Sequence, residues 1–106
     1  MKVLLDENLP HQLRHELNPH AVFTVKFMAW SGLKNGVLLA RAAAEGFDVM
    51  ITMDSGVPYQ QNLATLPLAV VIFAAVTNDI DDLRPLIPRL LESLRTLAPK
   101  SVIRIA

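Results

Sequence analysis

The residues best placed to do chemistry are three carboxylates, each close behind a short apolar run. Asp6 and Glu7 follow Lys2-Val3-Leu4-Leu5, and Asp54 follows Val49-Met50-Ile51-Thr52 after one methionine. Carboxylates brought together repel one another, so gathering them costs free energy unless a cation or donor compensates. Mg²⁺ is the natural compensating ion, because it takes oxygen ligands, keeps several waters and is often held by one or two carboxylates plus substrate phosphate. Bound there, it could activate water and stabilise charge building on a phosphodiester. Asp48 begins a strand and belongs to the opposite end of it. Asp79, Asp81 and Asp82 read as first-turn acids of the last helix, favoured by its dipole.

Those acids matter only if the chain folds so that they meet. Five apolar segments read as strands: Lys2 to Leu5, Ala21 to Val25, Val49 to Thr52, Leu68 to Ala74 and Val102 to Ile105. The fourth is continuously apolar, as expected of a strand buried on both faces. Between them lie helical patterns. Pro10 fits a first helical turn, and Leu9, Leu13 and Leu17, spaced by four, give that segment an apolar stripe up to Asn18-Pro19. Asn35 is the expected N-cap of a helix from Gly36 to about Glu45, and Gly46 occupies the left-handed cap position. Tyr59 to Leu63 predicts one helical turn. The last helix is expected from about Asp81 to Leu97, with Leu83, Ile87, Leu90, Leu91 and Leu94 at helical spacing. Pro85 and Pro88 predict an irregular start to it.

Strands alternating with helices imply βαβ units and a mainly parallel sheet with helices on both faces. Ligands of such sheets bind beyond the carboxyl ends of the strands, which is where Asp6, Glu7 and Asp54 fall. The chain of 106 residues suits one domain. The longest apolar run, Leu68 to Val76, is far short of the roughly 20 residues of a membrane span. Acids follow the first apolar run at once, which argues against a signal-peptide core and predicts a cytoplasmic protein. The absence of cysteine excludes disulfides and thiolate metal sites. Ten basic and ten acidic residues cancel, which argues against a protein that grips nucleic acid mainly by neutralising phosphates.

Other side chains could serve such a rim. Lys34 precedes a helix N-terminus, a phosphate-friendly place, and Arg41 is expected to flank the acids with it. Tyr59, Gln60, Gln61 and Asn62 form a polar run able to contact bases or the scissile strand. Trp30 could stack on a base or plug its loop onto the core. His11 and His15 lie four apart without a third ligand and are expected to face solvent.

Four stretches carry a family resemblance: Leu4-Leu5-Asp6-Glu7-Asn8-Leu9-Pro10, Trp30-Ser31-Gly32-Leu33-Lys34-Asn35-Gly36, Ile51-Thr52-Met53-Asp54 and Tyr59-Gln60-Gln61-Asn62-Leu63. Together they resemble the small bacterial PIN-like domains, related to the VapC-type toxin ribonucleases. The resemblance spans nearly the whole chain, residues 1–106. It implies a five-stranded parallel sheet in an α/β/α sandwich. It also implies a Mg²⁺- or Mn²⁺-dependent endoribonuclease, often the toxin neutralised by a small antitoxin. By resemblance Asp6 and Asp54 are the metal ligands and Glu7 the third acid. Lys34, Asn35, Tyr59, Gln60 and Gln61 would contact the RNA. The family also places acids where this chain has Phe27 and Val37. Fewer carboxylates imply weaker metal binding.

Two further readings follow. One is a PIN-like domain with weakened catalysis that binds RNA or protein. The other is a phosphoacceptor receiver, with Asp54 phosphorylated after the third strand. Receivers place a lysine after the last strand. Here Lys100 precedes that strand and only Arg104 within it is basic. The apolar helix from Leu83 to Leu97 could pack on the sheet or against a second copy in a homodimer.

Overall fold

A computed structural model describes every residue, Met1–Ala106. Five strands form one all-parallel sheet: β1 (Lys2–Leu5), β2 (Ala21–Thr24), β3 (Val49–Thr52), β4 (Ala69–Phe73) and β5 (Val102–Ile105), in the order β2-β1-β3-β4-β5. The α/β expectation holds. The register aligns Leu5 with both Thr24 and Ile51, so β1, β2 and β3 end at one rim. The chain turns to opposite sides of β1 on leaving it and on returning to β3. The crevice of an open parallel sheet lies at such a switch point.

The pleat sends alternate side chains to opposite faces, and two separate apolar clusters result. On one face Val3, Leu5, Val49, Ile51, Val71 and Phe73 pack with Leu9, Leu13 and Leu17 and with Leu83, Ile87, Leu90 and Leu94. On the other, Leu4, Met50, Val70 and Ile72 pack with Leu38, Leu39 and Ala42 of α1 (Asn35–Ala44). The sheet is therefore the middle of three layers. β3 and β4 are buried along their whole length; β4 is apolar throughout, and β3 is apolar up to its last residue, Thr52.

The helical segments depart from expectation in instructive ways. The stretch His11–Glu16 is a 3₁₀ helix rather than an α-helix. Leu13 within it, Leu17 at its C-cap and Leu9 before it are all buried, so the apolar spacing marks the packed face while the winding differs. Lys34, not Asn35, is the cap residue of α1 and makes no side-chain cap bond. Gly46 does adopt a left-handed conformation, φ +82°. The predicted turn at Tyr59 is α2 (Val57–Gln60), followed by a 3₁₀ turn at Leu63–Thr65.

The last helix is broken, as its prolines predict. It consists of α3 (Ile80–Leu83), a 3₁₀ turn at Arg84–Leu86 and α4 (Ile87–Arg95), with Pro85 and Pro88 each in a first turn. Asp79 caps α3, its carboxylate accepting from the Asp81 N–H at 3.0 Å. The apolar stripe of this region is buried on the sheet within the molecule. No helix is long and apolar enough to cross a membrane.

Candidate functional site

The rim is organised around a buried hydroxyl. Thr52 ends β3 fully buried, the single polar side chain in that strand. Its Oγ1 donates to Asp6 Oδ2 at 2.7 Å. It accepts from the Asp54 backbone N–H at 3.0 Å and from the Asn8 amide at 3.2 Å. A threonine hydroxyl has one donor and two acceptor positions, so all are used. Asn8 also accepts from the Met53 N–H at 3.2 Å, which ties the loop after β1 to the end of β3.

Asp6 is only 9% exposed. Besides Thr52, it accepts from the Glu7 N–H through Oδ1 at 2.8 Å. Two donors leave a carboxylate with acceptor capacity to spare, since its two oxygens offer about four sites. Asp6 is thus an anchored anion with room for a ligand. Glu7 is exposed, and its Oε1 accepts from the Gly32 N–H at 3.1 Å.

Asp54 faces a different set of partners. Oδ1 accepts from the Gly56 N–H at 2.8 Å, and Oδ2 accepts from the Asn35 amide at 2.9 Å. Asn35 opens α1, whose positive dipole end favours a nearby anion. The same Asn35 amide donates to Gln60 Oε1 at 3.2 Å. A Cβ at Gly56 would come within 3.0 Å of Asp54 Oδ1 and 2.8 Å of the Gln60 amide, so a larger residue there would push both side-chain ends from their present positions.

The three acids follow the carboxyl ends of β1 and β3, but they do not converge. No group of three or more His, Asp or Glu side chains is arranged to hold one metal ion. Asp6 and Glu7 open into a cavity of about 550 Å³, whose wall also carries His11, Arg14, Lys26 and Phe27. Asp54 lies outside that wall and is joined to Asp6 only through Thr52. The donor chemistry therefore fits a hard cation held by one or two carboxylates with its waters retained. It does not provide an all-protein cage.

Asn35 and Gln60 meet Asp54 directly, and the Gln61 amide packs against Gly36 at the start of α1. Lys34 is exposed beside that helix start, and Tyr59 is 92% exposed with no partner at the acids. Arg41 is corrected: it lies in the last turn of α1. That helix runs back from the rim toward the start of β3, which carries Arg41 away from the acids. Asp48 sits at the amino ends, as its position before β3 requires, accepting from the Lys2 N–H at 2.7 Å. Nearby, His20 is held below the ordinary histidine range, first by burial and then by the N-terminal ammonium. Trp30 is a core residue, edge-on to Phe47.

Thr52, Asn8, Arg14, Lys26 and Phe27 were not singled out from sequence as site residues. Thr52 had a legible signal, as a lone polar residue in a strand apolar on both faces. No family model, curated protein or solved structure matches the chain.

Proposed function

We propose that the chain is a metal-dependent endoribonuclease of the PIN-like type, with Asp6 as its principal acid. The observation that carries this reading is the buried, Thr52-anchored Asp6, opening with Glu7 into a cavity that also holds two cations. In this reading Asp6 and Glu7 hold Mg²⁺ or Mn²⁺, with Asp54 as the more distant third acid. The ion would supply Lewis-acid polarisation of the phosphoryl group and an activated water. The protein's own part is to fix Asp6 through Thr52 and the Glu7 N–H, and to offer Arg14 and Lys26 to phosphate.

The resemblance carries the reading further, to the toxin of a toxin–antitoxin pair, acting on RNA in the cytoplasm and neutralised by a small antitoxin. Lys34, Asn35, Tyr59, Gln60 and Gln61 then contact RNA on the Asp54 side. Calorimetric titration with Mn²⁺ tests the metal. Wild type should bind a single ion, and Asp6→Asn should lose that binding. No heat from either protein would favour the alternative of a PIN-like domain that binds RNA or protein without cleaving.

A second reading has one observation in its favour. The order β2-β1-β3-β4-β5 is also that of phosphoacceptor receiver sheets. It would make Asp54 the acceptor. The end of β5 has no lysine, and Arg104 lies within the strand, beside a hollow lined by Met53 and Ser55. Acetyl phosphate labelling of wild type but not Asp54→Asn would establish that reading in place of the nuclease.

A further inference from the structure

The cavity beside Asp6 has a feature that metal chemistry does not need. Phe27 is 67% exposed, one of the most exposed large apolar side chains in the protein. It stands on the turn after β2, and that turn is well braced. The Phe27 N–H donates to Thr24 Oγ1 at 3.0 Å, the Met28 N–H to the Thr24 carbonyl at 3.1 Å, and the Trp30 N–H to the Val25 carbonyl at 3.0 Å. The ring also leans on Phe23, centroids 5.8 Å apart and 40° from parallel. An exposed aromatic ring held in place by its own turn is a preorganised platform rather than a loose side chain.

Two cations flank it. Lys26 and Arg14 line the cavity with Phe27, and neither takes part in an ion pair. Arg14, Thr24 and Phe27 also line a neighbouring hollow of about 190 Å³, bounded by Val22 and Phe23 of β2. The two hollows share these three residues. Together they make a trough from the acids across Phe27 toward the sheet edge. Bases stack on aromatic rings whatever their identity, and free cations beside the ring suit the phosphates between them. A protein partner would equally cover an apolar ring, but it gives no reason for two free cations beside it.

We infer that Phe27, Arg14 and Lys26 form a subsite for one unpaired nucleotide of single-stranded RNA, adjacent to Asp6 and Glu7. The inference rests on the nuclease reading for its position beside the scissile bond, but not for its binding chemistry. Phe27 stacks the base, and Arg14 and Lys26 take the flanking phosphates. The subsite selects unpaired RNA, because a base inside a duplex cannot reach a ring from its stack.

Fluorescence anisotropy with a labelled single-stranded oligoribonucleotide, in EDTA at fixed salt, tests this without cleavage. Phe27→Ala should weaken binding about tenfold, and Phe27→Trp should keep it. Arg14→Gln and Lys26→Gln should each lower the salt slope by about one. Phe27 is largely exposed, so unchanged thermal unfolding of Phe27→Ala checks that the fold is intact. Equal binding by wild type and Phe27→Ala would overturn the subsite, even if RNA is cleaved when Mg²⁺ is added. So would absence of RNA binding, including the case in which Phe27→Ala only loses a protein partner. Binding that depends on Phe27 without cleavage in Mg²⁺ would keep the subsite and remove the nuclease.

Discussion

Thr52 shows how much one buried hydroxyl can organise. It spends its proton on Asp6 and both lone pairs on donors from the two loops that frame the rim. Replacing it by valine keeps the shape and leaves Asp6, the Asp54 N–H and the Asn8 amide each short of a partner. Loss of a buried partner costs about 1–3 kcal/mol. Thr52→Val should therefore lower unfolding free energy by about 2 kcal/mol in denaturant titration, while Thr52→Ser should cost clearly less. Residues that orient a metal ligand typically matter about 10–100-fold in metal affinity, so Mn²⁺ binding by Thr52→Val should weaken on that scale. The acids themselves were legible as residues that follow strands. Their separate surroundings were not, because which donor meets which carboxylate depends on turns such as Asp54–Gly56 that carry no periodic signal.

The elements divide into those whose sequence pattern decides their form and those decided by context. β1, β3 and β5 have the boundaries their apolar runs predict; β2 is one residue shorter at its end, and β4 is one residue shorter at each end. The first helical segment was placed correctly and wound differently. Leu13 inside the 3₁₀ helix and Leu9 and Leu17 flanking it all reach the core, so a spacing of four does not by itself choose the winding. Leu90 of α4 is fully buried in the same cluster as those leucines. Leu90→Ala should cost about 3 kcal/mol by urea unfolding, within the usual range for a leucine removed from a core. Gly46 ends α1 with φ +82°, and a Cβ there would meet nothing within 4 Å. The cost of Gly46→Ala should therefore be conformational alone, about 1 kcal/mol, read as a lower midpoint in the same experiment. The trough at Phe27 was not legible, since it is assembled from a turn after β2 and a 3₁₀ segment before it.

At the scale of the molecule, the register of a parallel sheet puts the ends of β1, β2 and β3 at one rim, and acids following β1 and β3 come with them. That much follows from an alternation of strands and helices. The chain's zero net charge says that any RNA grip is local, and Arg14 and Lys26 beside Asp6 are such a local patch. In the proposed function this rim cleaves RNA with Asp6 as principal acid. The direct measurement is cleavage of a labelled single-stranded RNA by wild type, Asp6→Asn and Asp54→Asn, in Mg²⁺ and in EDTA. An Asp6-centred nuclease should cleave as wild type in Mg²⁺ only, lose about a hundredfold or more of its activity in Asp6→Asn, and lose less in Asp54→Asn. Cleavage undiminished in Asp6→Asn or in EDTA, or none by wild type in Mg²⁺, would contradict it.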